Sequence, residues 1–155
     1  SELATGTPDY FDPSQYGMIA FDFNETVTPS DLNDQSEDDR ELAFAFDRME
    51  FRNTRGSPIV SYDIGERNSE PVFLEGAWGR ESNNGVTYRW AGGENSRTRI
   101  AVAPRATSAS EVVLRGMPQV NNRISAAVSF EGSAVDSIDF GRRRFDEYTL
   151  ELGSA

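Results

Sequence analysis

Trp78, Glu81, Asn83, Asn84 and Arg89 fall close together in the sequence. Their types suit sugar recognition. An aromatic ring stacks on the apolar face of a pyranose, and carboxylate, amide and guanidinium groups at its rim bond the hydroxyls. Trp78 lies between Gly76 and Gly79, so it reads as a loop platform, with the other four as its polar rim. Trp90, between Arg89 and Ala91 on a β-branched and aromatic run, reads as core, and so does Tyr88 at the same parity.

Other chemistry is narrowed by what is missing. The chain has no histidine and no cysteine. That removes a Ser-His-Asp triad, a thiolate nucleophile, an ordinary zinc site and any disulfide. The 26 acidic residues would let some pair meet glycosidase spacing by accident, so their number does not argue for an enzyme. Asp31, Asp34, Asp38 and Asp39 form an acidic stretch that a calcium ion would suit. Yet the spacing from Asp31 lacks the EF-hand's glycine at position six and glutamate at position twelve, and a solvated loop is the plainer reading. Asn24-Glu25-Thr26 is a glycosylation sequon, of use only in an exported chain. Arg142, Arg143 and Arg144 make a basic turn. It either offsets neighbouring carboxylates or grips a phosphate or acidic glycan.

The elements that must hold these groups follow from composition and alternation. The 155 residues suffice for one domain with its own core. Net charge is −11, and every basic residue is arginine. This composition resembles that of proteins from salt-loving microbes, where screening tolerates dense carboxylates. No basic stripe offsets the acid, so nucleic acid and anionic membranes are not expected partners. No apolar run approaches the roughly 20 residues of a membrane helix. Residues 1–16 read as an arm or linker, and 17–155 as a single β-sandwich domain. Residues 52–58 read as a polar loop joining its two parts.

Along that domain, Met18–Phe23 alternates Ile19, Phe21 and Phe23 to one face. Leu42, Phe44 and Phe46 face inward on the next strand. Met49 and Phe51 fall on the other parity, which a bulge near Asp47-Arg48 restores; a short helix over Asp38–Phe46 is the competing reading. Further strands are expected at Ile59–Ile64, Val72–Leu74, Val86–Trp90, Arg99–Ala103, Glu111–Arg115, Arg123–Phe130, Val135–Ile138 and Phe145–Leu152. About nine or ten short strands separated by Gly, Pro and Asn predict an all-β fold, an antiparallel sandwich of jelly-roll type.

Two blocks carry a family likeness. Gly76, Trp78, Glu81, Gly85, Tyr88, Arg89 and Trp90, then Ile100 and Val102, form one. Ile19, Phe21, Phe23, Pro29, Asp39, Arg40, Leu42, Phe44 and Phe46 form the other, with an Asp-x-Arg-x-Leu run into the last strand. Together they resemble jelly-roll accessory modules of cell-surface polysaccharide proteins, of the kind attached to membrane glycosyltransferases. The chain departs at Glu131-Gly132, where such modules more often have Asn-Gly. It also reverses the order of the two blocks. Either the chain is a circular permutation of one sandwich, or residues 1–52 close one unit of a tandem array and 59–155 open the next, with an open edge.

The resemblance and the residues together imply a non-catalytic, extracytoplasmic carbohydrate-binding or accessory module of a halophile's cell envelope. Its partner would be a polysaccharide or glycan, with no direct membrane insertion. The competing expectation is a self-assembling subunit of a surface layer, filament or capsid, forming homo-oligomers through an open sheet edge. A glycosidase is the third.

Overall fold

The computed structural model describes residues 12–66, 70–93 and 95–153. Most of the arm expected over residues 1–16 lies outside them. Among the described residues, eleven strands form two antiparallel sheets. They are β1 (Gly17–Phe23), β2 (Leu42–Arg52), β3 (Pro58–Asp63), β4 (Val72–Glu75), β5 (Ala77–Asn83) and β6 (Val86–Gly92). Then follow β7 (Arg97–Val102), β8 (Glu111–Pro118), β9 (Ser125–Phe130), β10 (Ser133–Asp139) and β11 (Asp146–Glu151). The five-stranded sheet runs β10-β9-β1-β7-β4. The six-stranded sheet runs β11-β8-β2-β6-β5, with β3 paired to the second half of β2. The chain changes sheet at β1–β2, β3–β4, β4–β5, β6–β7, β7–β8, β8–β9 and β10–β11, the repeated crossing of a jelly roll. Segment 52–58 is therefore the turn of the β2–β3 hairpin, closed by Gly56 N–H donating to Asn53 O at 2.9 Å.

The expected alternation builds the interior. Ile19, Phe21 and Phe23 on β1 face Phe44, Phe46, Met49 and Phe51 on β2 in one buried cluster that also holds Val112, Val128 and Leu150. Rings lock across the gap: Phe21 meets Phe46 edge-on at 5.1 Å, and Phe51 stacks on Phe130 at 6.0 Å. The register of β2 against β8 shifts between Phe46 and Arg48, the position the parity switch requires, so Met49 and Phe51 return to the inner face. No helix forms over Asp38–Phe46. A second irregularity, between Leu42 and Phe44 against β6, was not anticipated. It turns Leu42 to the outer face of the six-stranded sheet, contrary to the inward placement expected for it.

Two glycines are fixed by close approach. A side chain on Gly116 would meet the Phe44 ring at 2.3 Å and Ala45 O at 2.4 Å. Gly76 has φ +74°, and a Cβ there would lie 1.9 Å from Arg97 O. The Gly76 carbonyl accepts from the buried Thr98 hydroxyl at 2.8 Å, and that hydroxyl accepts from Gly92 N–H at 3.2 Å. This small network ties β7 of one sheet to β6 of the other.

Candidate functional site: a groove on the outer face of the six-stranded sheet

The second apolar cluster of the protein lies outside the sandwich interior. Leu42, Ala45, Tyr88 and Trp90 form it, with Trp78, Val86, Met117 and Phe145 packed around them. Strand parity explains its position. On β6, Thr87, Arg89 and Ala91 face one way and Val86, Tyr88 and Trp90 the other. Ala45 pairs with Trp90 on one side and Met117 on the other, so a small residue separates two large ones across three strands.

Leu42, Val86, Tyr88, Trp90 and Met117 floor a cleft of about 490 Å³. One wall is the segment from Pro29 to Arg40, and the other is Arg143, Arg144 and Phe145; Glu81, Asn83 and Asn84 stand on the β5–β6 hairpin. Asn84 has φ +53° and Gly85 +82°, the left-handed pair of a tight hairpin turn. Trp90 and Tyr88 are only 4% and 8% exposed. They meet edge to face at 6.2 Å, and Phe145 lies 5.7 Å from Tyr88. The floor therefore offers ring edges, the Met117 side chain and a phenol rather than an open ring face.

Arg40 organises the polar wall. Its Nε and Nη2 grip both oxygens of Asp38 at 2.9 and 2.7 Å, and Nη1 reaches Glu81 Oε2 at 2.5 Å. This holds the Asp38 carboxyl below the usual carboxylate range, the Arg40 hydrogen bond being the main cause, and raises Arg40 further still. Burial, then the Glu81 charge, pushes the Tyr88 phenol up, so it stays a neutral O–H. Opposite, Arg143 Nε donates to Gln119 O at 2.8 Å, and its backbone N–H donates to Asn121 Oδ1 at 2.7 Å. Arg144 pairs with Asp146 at 2.8 Å.

Of the expected sugar-binding residues, the structure brings Glu81, Asn83 and Asn84 to the groove. Trp78 is not a free loop platform. It belongs to strand β5, is half-buried beside the floor, and donates Nε1–H to Glu41 O at 3.4 Å under the Arg40 guanidinium. Arg89 faces the opposite way and is 1% exposed. Its Nε donates to Trp78 O at 2.7 Å, Nη1 lies 3.7 Å from Glu70, and its guanidinium covers the Phe73 ring at 4.6 Å. It ties strands together and is not a rim group. Conversely, Tyr88 and Trp90 are buried but line the groove rather than the sandwich interior. Asp38, Arg40, Met117, Gln119, Arg143 and Phe145 were not expected to join them. The one usable signal was Tyr88 and Trp90 sharing a parity opposite to Ala91.

Of the acidic stretch Asp31, Asp34, Asp38 and Asp39, the last two are engaged by neighbours within the protein. Asp38 spends both oxygens on Arg40, Asp39 accepts from Ser30 Oγ at 2.7 Å, and no group of three possible ligands comes together among the described residues. Asn24 is exposed, and its side chain bridges β1 to β9: Nδ2 donates to Arg123 O and Oδ1 accepts from Ser125 N–H, both at 2.8 Å.

Comparison with known protein families, with characterised proteins and with solved structures gives no match. Among the described residues no helix is long and apolar enough to cross a membrane.

Proposed function

We propose that this groove binds a saccharide and that the chain is a non-catalytic carbohydrate-binding or accessory module of an exported cell-envelope protein. The observation that carries the reading is the convergence of an aromatic and thioether floor with amide, carboxylate, phenol and guanidinium groups held at its rim. Asn83, Asn84 and the Tyr88 phenol supply directional donors and acceptors for hydroxyls. Met117 and the ring edges supply apolar contact. The acidic, arginine-only composition fits a high-salt setting outside the cell. The reversed block order fits a permuted relative of polysaccharide-associated jelly rolls. β1 begins and β11 ends near Thr107, which approaches Gly17 and shares a surface depression with Gly153.

Hydrolysis is less well supported. A glycosidase needs one carboxyl with a raised pKa as proton donor. In this groove Arg40 holds Asp38 the other way and ties up Glu81 as well; Asp47, which burial raises, lies outside it and accepts from Arg115. Assembly by strand addition is opposed at the β10 and β11 edges, though β4 and β5 also end their sheets. Asp136, at a register shift, and Asp139 lie on β10, and Glu147 and Glu151 lie on β11.

A glycan array in molar salt tests the reading, with Asn83→Ala and Tyr88→Phe beside the wild type. Selective binding that both variants weaken supports it. Binding indifferent to both moves the site elsewhere on the surface. An absence of binding accompanied by salt-dependent growth in light scattering favours assembly.

A further inference from the structure

We propose that the groove, taken as the saccharide site above, selects a glycan chain bearing an anionic sugar, a uronate or a sulfate ester, whose charge sits on Arg143. Arg143 is one of the few arginines with no carboxylate within ion-pairing distance among the described residues, whereas Arg40 is matched by Asp38 and Glu81 and Arg144 by Asp146. It is nevertheless held in place. Gln119, itself 3% exposed, takes its Nε–H on the backbone carbonyl, and Asn121 fixes its backbone. Arg143 Nη2 also donates to Gln119 Oε1 at 3.5 Å, which leaves the Nη1–Nη2 edge to grip a carboxylate or sulfate side-on.

Arg143 also stands where two depressions meet. It lines the groove of Tyr88 and Trp90, and it lines a second cleft of about 450 Å³ with Leu32, Asn33 and Val120. Pro29 and Gln119 border both as well. Leu32 is 55% exposed and offers this second cleft an apolar surface. A linear chain lying through both would pass its middle unit over Arg143. In a protein of net charge −11, a polyanion is repelled almost everywhere. A fixed, unneutralised cation inside the cleft is the local feature that reverses this.

The test titrates the full chain with oligogalacturonates, with the matching neutral galacto-oligosaccharides, and with galacto-oligosaccharides carrying sulfate esters. Wild type, Arg143→Gln and Arg142→Gln are compared; Arg142 lines neither cleft. A charge-assisted contact predicts that one acidic series binds about tenfold more tightly than the neutral one. Arg143→Gln then abolishes the preference for the acidic series over the neutral one, and Arg142→Gln leaves both as in the wild type. Which acidic series leads distinguishes uronate from sulfate. Equal binding of neutral and acidic chains, unmoved by Arg143→Gln, overturns this inference and leaves the saccharide reading standing. Failure of all three series, with no shift of the Arg143 Nε–H NMR signal in glucuronate or in inorganic sulfate, overturns both.

Discussion

Arg40 and Glu81 meet at 2.5 Å although 41 positions separate them in sequence. One sits at the end of the loop that leads into β2, the other on the edge strand β5. Their contact joins the loop wall of the groove to its sheet wall, and the two-oxygen grip of Arg40 on Asp38 makes the junction rigid. Arg40→Gln is expected to lower stability by about 1 kcal/mol, since the pair is only partly buried. It should weaken glycan binding far more, by about tenfold, because the wall is freed while the fold stands. Urea melts and ligand titration on the same variant check the split. Equal loss of both would make the contact merely structural.

Two carboxylates give pH dependences of opposite sign. Arg40 depresses the folded-state pKa of Asp38. Its contribution is therefore complete above the unfolded value near about 3.9 and disappears as pH falls through the lower folded one. Burial raises Asp47 instead, outweighing its hydrogen bond from Arg115. Between the unfolded and the raised folded value the native state holds more protons, so stability falls as pH rises through that window. Asp38→Asn should reduce the acid loss of stability, and Asp47→Asn should flatten the fall above about pH 4. Thermal unfolding from pH 2 to 7 separates them.

Arg89 is a buried cation with an incomplete set of partners. Its Nε is bonded, and Glu70 approaches its Nη1 only at 3.7 Å. Arg89→Ala removes the donor to the Trp78 carbonyl and opens a void beside Phe73, at a cost of about 2–4 kcal/mol, while Glu70 keeps Arg80 at 3.2 Å and the Gly65 N–H at 2.8 Å. Arg89→Met fills that volume and should recover much of the loss. Chemical denaturation of both variants is the check, and a milder effect for alanine than for methionine would contradict this role.

Gly116→Ala and Gly79→Ala form a matched pair. The first drives a methyl into the Phe44 ring and the Ala45 carbonyl and should cost about 3 kcal/mol. The second finds nothing within 4 Å and should stay within about 0.5 kcal/mol of wild type. Differential scanning calorimetry resolves the two.

The sandwich was readable because its interior repeats with period two. The break in that period at Asp47-Arg48 even located a bulge. Strand β5 was not readable. It is a polar edge strand, and Trp78-Gly79-Arg80-Glu81 mimics a loop because neither face there belongs to the main core. The same cause hid the groove. Sequence gives parity but not which side of a sheet is the interior, so from sequence Tyr88 and Trp90 read as core and Arg89 as rim. Arg40, Gln119 and Arg143 come from three distant segments that only the folded chain brings together.

The central claim is that the outer face of the six-stranded sheet is a glycan site. Backbone and side-chain NMR shifts, followed as the best array ligand is added to the labelled protein, test it most directly. The account predicts perturbations concentrated at Asn83, Tyr88, Trp90, Gln119 and Arg143, with the inner-core rings of Phe46 and Phe51 unmoved. Shifts gathered instead on the five-stranded sheet, around Asp136 or Arg99, would contradict it.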